Sequence, residues 1–479
     1  MPGTATTRLH SSSPSPNPLW WVLVGLGVRF VLLFLAGDLD PQADERNYVY
    51  LALSWNRFGF LGDTGRFLWP PAYPWVLAQF LDGFGLWGLF LVRVSQVLFS
   101  GVIGATTILL AKRLFSRPAA TVTGLLWSIH LPLIMFSHTH WAETLYLALL
   151  LPSFYLLLVW LQEPQQTRKG PVLLVFSGLL FGLALLVKEV ALLLPVLLIP
   201  LIIWRSSGVG DRGAGLRNVA LYVLSIVVVV LPWSLRNLEV YGRFVPAGMT
   251  VGENAYWGLN GLYRNFDLAT QDSETEELTR TDHLDRWFVA WEPGSAWKRA
   301  GRQQNVVDRN RENLRRGLRY AGEHPGWFLR TRIRKLADWL TPLSFFVRHH
   351  ARETYAGVLA SPWVKRPMLV LAMATTVLLL LLSIPGFVLS LRDPTAKWLL
   401  GAYVGYFAAT GLLVSMSRFR LPAEPILLVL MAGFLSDPGV FRRAHKRTVA
   451  ICWALWIGLI ALWLIALPDT LDQLGRAWS

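Results

Sequence analysis

An all-α polytopic membrane protein is the fold class predicted by this sequence, on three observations. Hydrophobic residues make up 53% of its 479 positions and charged residues only 16%. The mean hydropathy is +0.42, too apolar for a soluble domain. The apolar residues also gather into runs of bilayer length separated by short charged loops.

At roughly 20 residues per crossing, about eleven transmembrane helices are predicted. They lie at residues 19–37, 86–111, 119–136, 143–161, 171–187, 189–204, 217–234, 367–391, 397–415, 420–436 and 448–467. Residues 1–18, rich in Ser, Pro and Thr, are expected to be a disordered cytoplasmic N-terminus. No A-x-A-like cleavage site follows the first apolar run, so that run reads as a retained span. An N-terminal transmembrane module would cover 19–235, with an outer loop at 38–85. An extracytoplasmic loop region would cover 236–366, and C-terminal transmembrane helices 367–479.

The short loops on one face carry Lys112, Arg113 and Arg117; Arg168 and Lys169; Arg205, Arg212 and Arg217; Arg392 and Lys397; and Arg442, Arg443, Lys446 and Arg447. Such a bias marks the cytoplasmic side. It also accounts for much of the net charge of +15 without invoking nucleic acid. The 23 Trp residues suit the membrane interface. One cysteine, Cys452, excludes an intramolecular disulfide framework and a cysteine-based metal cluster.

Two outer segments exceed a turn. Residues 38–85 hold a stretch from Asp44 to Phe58 with helical apolar spacing, a Gly-rich turn, and a second amphipathic stretch after Pro70-Pro71; both are expected as short interfacial helices. The second segment mixes charged helical sequence (Gln303 to Tyr320) with Trp- and Phe-rich sequence (Trp327 to Phe346), and reads as a cap.

The densest chemical signal is Asp40-Pro-Gln-Ala-Asp44-Glu45-Arg-Asn-Tyr48, directly after the first span. Adjacent carboxylates at a membrane surface repel each other and lose solvation, so they call for a cation, a metal or a catalytic reason. A solvated juxtamembrane turn is the plain alternative. Downstream come Pro70-Pro71-Ala-Tyr73-Pro74, Glu143-Thr-Leu-Tyr146, Pro232-Trp233-x-x-Arg236-Asn237 and Ser417-Arg418-Phe-Arg420-Leu-Pro422-x-x-Pro425.

In that order, these landmarks resemble the membrane glycosyltransferases of family 39, which are similar to protein O-mannosyltransferases and to aminoarabinose transferases of lipid A. The resemblance implies a glycosyltransferase C fold, a polyprenyl-phosphate sugar donor, and inverting transfer to an extracytoplasmic acceptor that is a lipid, glycan or protein. It places the active site on the periplasmic or exterior face of a bacterial-type inner membrane. Such a reaction needs a base for the acceptor hydroxyl and cations for the departing phosphate.

By position, the resemblance makes Asp44 the base, with Glu45 beside it and Asp40 as its rival. Arg418, Arg420, Arg236 and Lys188 are the candidates for donor phosphate, and Glu143, Tyr48 and Tyr73 for donor or sugar. The competing reading of each cation is an interfacial anchor. Lys188-Glu189 could equally be a self-paired turn. His138, His140 and Glu143 could ligate a divalent metal (zinc, manganese or magnesium), or hydrogen-bond the substrate; His349-His350 receive the same reading. Glu253-Asn-Ala-Tyr-Trp257 could touch sugar by aromatic stacking. A transporter or flippase is the alternative function. It would show Gly/Pro-broken spans in matching halves and ionisable residues at mid-membrane, whereas here they collect at the outer ends of spans.

Overall fold

In a bilayer the backbone must satisfy its own hydrogen bonds, so apolar runs fold as helices. The computed structural model describes residues 17–37, 44–59, 69–163, 169–207, 212–248, 250–259, 306–351, 355, 357–414 and 417–478. Residues 1–16, expected to be disordered, and Asp40, the rival base, lie outside these, as do the side chains of Glu253, Tyr256 and Trp257.

The first half runs α1 (Trp20–Leu35), α2 (Asp44–Phe58), α3 (Ala72–Phe84), α4 (Trp87–Leu114), α5 (Arg117–Ile129), α6 (Leu131–His138), α7 (Glu143–Gln162), α8 (Lys169–Val187), α9 (Leu194–Ser207) and α10 (Arg212–Tyr241). The second runs α11 (Val251–Leu259), α12 (Val306–Glu323), α13 (Pro325–Trp339), α14 (Phe345–Ala351), α15 (Pro362–Pro385), α16 (Pro394–Val414), α17 (Glu424–Ser436), α18 (Val440–Arg443) and α19 (Lys446–Trp478). Short 3-10 turns at Glu189–Ala191 and Ser417–Arg420 link α8 to α9 and α16 to α17.

Among the described residues six helices are long and apolar enough to cross a membrane: α4, α7, α8, α10, α15 with its π-helical end, and α19. Three shorter apolar helices, α1, α9 and α17, accompany them. The expected run 119–136 is bent. It divides at His130, where the backbone is extended (ψ 95°) and α5 and α6 diverge by 52°. Pro132, in the first turn of α6, contributes to the break, because it has no N–H with which to continue the α5 ladder. Among the described residues this gives six long spans, or seven if the bent pair is one span, with the shorter apolar helices besides.

The interfacial stretches fall where the spacing puts them. Helix α2 begins at Asp44, with Asp44 and Glu45 in its first turn, where the free N–H groups favour carboxylates. Gly59 follows it with φ +68°, a left-handed value that suits glycine. Tyr48 packs on Trp69 and edge-on to Tyr73, with centroids 4.3 and 4.9 Å apart, which pins α2 to the start of α3. Helices α7, α8 and α10 pack in sequence, α4 lies against α7, and α17 sits between α5 and α15.

Beyond α10, the Pro232 landmark works as a clasp. Trp233 Nε1 donates to Ala247 O at 2.7 Å, Ser234 Oγ to Pro246 O at 2.9 Å, and Asn237 Nδ2 to Val245 O at 3.0 Å. The chain leaving the span is thereby folded back against it.

Candidate active site

The Asp44-Glu45 pair divides at once. Successive helical residues point about 100° apart, so the two carboxylates meet different neighbours. Asp44 Oδ2 accepts from Arg418 Nη1 at 2.7 Å, and its side chain keeps 32% exposure. Glu45 is buried and turns to the α6–α7 loop, where its Oε1 accepts the His140 backbone N–H at 2.6 Å.

Arg418 joins several elements. Its guanidinium lies 4.4 Å above the Trp141 ring, a cation–π contact, and its Nε stands 3.9 Å from Glu143 Oε1. Glu143 opens α7 and is paired through the same oxygen with Lys188 Nζ, at the end of α8. The result is a line of alternating charge, Lys188–Glu143–Arg418–Asp44, drawn from α8, α7, the 3-10 turn before α17, and α2. Each charge faces an opposite one in a partly dry setting, where pairing offsets desolvation.

Lys188 and Glu189 are not self-paired. Lys188 reaches Glu143, while Glu189 Oε1 accepts from the backbone N–H (3.3 Å) and hydroxyl of Thr250, just before α11. The turn thus fastens the outer segment to the α8–α9 corner.

Beside Arg418 lies a cavity lined by Glu143, Tyr146, Lys188, Val190, Phe407, Arg418, Phe419 and Pro422. Glu143 Oε2, Tyr146 Oη and Arg418 Nε are buried polar atoms with no hydrogen-bond partner among the described residues.

Arg420 is not in this cluster. Its fully buried guanidinium donates to Glu424 Oε1 at 3.1 Å and to the carbonyls of Trp339 and Thr341 at 2.9 and 2.7 Å. Glu424 Oε2 meets His130 Nε2 at 2.9 Å, so a buried Arg420–Glu424–His130 triad anchors the turn that presents Arg418. In a 3-10 turn of three residues per circuit, positions two apart point in different directions, which is why the two arginines part. Arg236 packs over the Trp233 and Tyr241 rings and donates to Asn237 Oδ1 at 3.2 Å. Tyr73 is buried, its hydroxyl accepting from Gln96 Nε2 at 3.2 Å.

The three side chains read as metal ligands do not converge. His138 Nε2 donates to Arg29 O at 2.9 Å, His140 Nε2 to Leu89 O at 3.0 Å, and Glu143 holds Lys188. His349 and His350 pack among the rings of Phe345, Phe346 and Tyr355. No group of three His, Cys, Asp or Glu residues suited to a metal is found among the described residues.

Sequence reading passed over His130, Glu424, Trp141 and Tyr146 as site residues. Tyr146 carried a usable signal, because it lies three residues after Glu143 on one face of α7. His130 and Glu424 are 294 positions apart and carried none.

These helices form a multi-span membrane protein of the glycosyltransferase C fold. The family described as dolichyl-phosphate-mannose-protein mannosyltransferase matches residues 69–233, which run from Trp69 before α3 to Trp233 in α10. Among solved structures, the apo oligosaccharyltransferase of Archaeoglobus fulgidus superposes with a TM-score of 0.52 at 12% identity, over 96% of this chain and 55% of that one. The same organism's AglB, bound to an inhibitory peptide and a dolichol-phosphate, gives 0.50 at 11% identity, over 96% and 56%. ArnT of Cupriavidus metallidurans, bound to undecaprenyl phosphate, gives 0.39 at 19% identity, over 85% of this chain and 77% of that one. The chain thus spans about half the length of the oligosaccharyltransferase. No curated protein matches it.

Proposed function

We propose that this protein is a membrane glycosyltransferase that moves a sugar from a polyprenyl-phosphate donor to an extracytoplasmic lipid, glycan or protein acceptor, with inversion at the anomeric carbon. The observation that carries this reading is the Asp44–Arg418 pair. It sets a partly exposed carboxylate against a guanidinium that also touches Glu143, itself paired with Lys188. The fold and the mannosyltransferase match over 69–233 support it.

In this reading Asp44 takes the proton of the acceptor hydroxyl as its oxygen bonds to the anomeric carbon. The bond from that carbon to the phosphate oxygen breaks on the opposite face, and the electron pair leaves on the polyprenyl phosphate. Arg418 and Lys188 stabilise the charge that develops there; a guanidinium suits two phosphate oxygens at once, and an ammonium acts as a point charge. Glu45 orients the His140 loop. The protein acts in a bacterial-type inner membrane, with this cluster facing outward.

Purified protein in proteoliposomes, supplied with undecaprenyl-phosphate sugars and envelope lipid acceptors, tests the assignment. Asp44→Asn should lower transfer by about 10²–10⁴-fold while donor binding persists. Transfer at the wild-type rate would remove Asp44 as the base. Movement of the lipid-linked sugar across the bilayer without a new glycosidic bond would favour the flippase reading.

A further inference from the structure

The cavity beside Arg418 has a polarity that the leaving phosphate does not explain. Three of the residues that line it each carry a buried polar atom without a hydrogen-bond partner among the described residues: Tyr146 Oη, Arg418 Nε and Glu143 Oε2. Buried polar atoms are almost always paired, so three on the wall of one cavity point to a ligand group. Arg418 Nε–H is a donor, and Glu143 Oε2, on a carboxylate that already holds Lys188, is an acceptor. Tyr146 can donate or accept.

A phosphodiester oxygen only accepts, and it would be repelled by Glu143. A sugar hydroxyl both donates and accepts. It can receive the Arg418 Nε–H and Tyr146 O–H bonds while giving its own proton to Glu143. Size agrees, for the cavity of about 10 Å³ has room for one water-sized group and none for a phosphoryl group with its oxygens.

Resting on the glycosyltransferase reading, we propose that Tyr146, Glu143 and Arg418 form a specificity subsite for one hydroxyl of the transferred sugar, with Tyr146 as a substrate-contacting residue. The phosphate is then held outside this cavity, by the parts of Arg418 and Lys188 that stay exposed. Because Glu143 and Tyr146 sit one turn apart on α7, the subsite is rigid. A sugar lacking that hydroxyl, or carrying it in the other configuration, would leave all three atoms unpaired in a dry site.

The test compares binding of bare undecaprenyl phosphate with that of the same lipid carrying mannose, glucose or arabinose, using full-length protein in nanodiscs. The expected result is that Tyr146→Phe weakens the best-bound glycosylated lipid by about tenfold or more and leaves the bare lipid unchanged. Equal weakening of both, at an unaltered melting temperature, would assign the cavity to phosphate and overturn the proposal. Should Tyr146→Phe melt early, the wild-type protein is read with singly deoxygenated forms of its best-bound donor. One position should then lose about tenfold; no sensitive position overturns the subsite. Glycosylated lipids that bind without any transfer would sink the enzyme reading and leave the subsite standing, whereas failure of every lipid to bind overturns both.

Discussion

Arg418 Nη1 lies 2.7 Å from Asp44 Oδ2, across 374 positions of sequence. That contact closes α2 onto the turn before α17, and brings the candidate base and a candidate phosphate cation into one unit.

Replacing Arg418 with Gln keeps a donor but removes the charge. Transfer is expected to fall about 10²–10³-fold, while stability falls by only about 1 kcal/mol, because the pair is partly solvated. Initial rates in proteoliposomes, read beside melting curves, separate the two effects. A stability loss large enough to explain the rate would assign Arg418 a structural role.

Arg420→Met should behave in the opposite manner. It strands buried Glu424 and two carbonyls, so a loss of about 3–5 kcal/mol is expected, seen as a much lower melting temperature in detergent. Melting close to wild type would show that the Arg420–Glu424–His130 triad contributes little.

Trp127 fills the space between α1 and α4. A Cβ added at Gly104 would stand 2.6 Å from its ring, and one at Gly25 would stand 2.2 Å away. Gly104→Ala is expected to destabilise by about 1–3 kcal/mol. In a Trp127→Leu background that penalty should largely vanish; if it is unchanged, ring contact is not its cause.

Lys335, on α13 in the outer segment, donates to Leu413 O at 2.9 Å and Gly258 O at 3.2 Å. Burial, with Arg332 adding repulsion, pushes its ammonium down from 10.5 to about 7. The folded state therefore releases this proton more readily than the unfolded chain, so the unfolded chain binds more protons between those values. Stability from this group is greatest at high pH, declines as pH falls from about 10.5 to about 7, and is flat below. Lys335→Met should remove that slope, leaving a flatter melting profile between pH 7 and 10 than the wild type has. Parallel profiles would show that Lys335 is not the group responsible.

Much of the site's location was legible in the sequence. The start of α2 at Asp44, the interfacial helix after Pro70-Pro71 and the apolar helices all follow from periodicity and hydropathy, which are local properties. Glu143 and Lys188 were each picked out as well, though as separate candidates. Their pairing was hidden, because a side chain's partner depends on which helix ends meet. The side chains considered as metal ligands point apart for a similar reason. His138-x-His140 places two imidazoles near each other in sequence, but Nε2 of each finds a carbonyl on a different helix, at Arg29 and Leu89.

By itself the sequence determined that the chain enters a bilayer, which stretches become helices, and that charge collects at helix ends. Hydrophobic transfer and backbone hydrogen bonding act residue by residue, so composition records them. Only the tertiary structure decided that Asp44 faces Arg418 while Glu45 faces His140, and that Arg418 joins the cluster while Arg420 locks the scaffold. Those choices are made by the angle between successive residues in a turn and by the packing of distant helices, which bring charges together over a few ångströms.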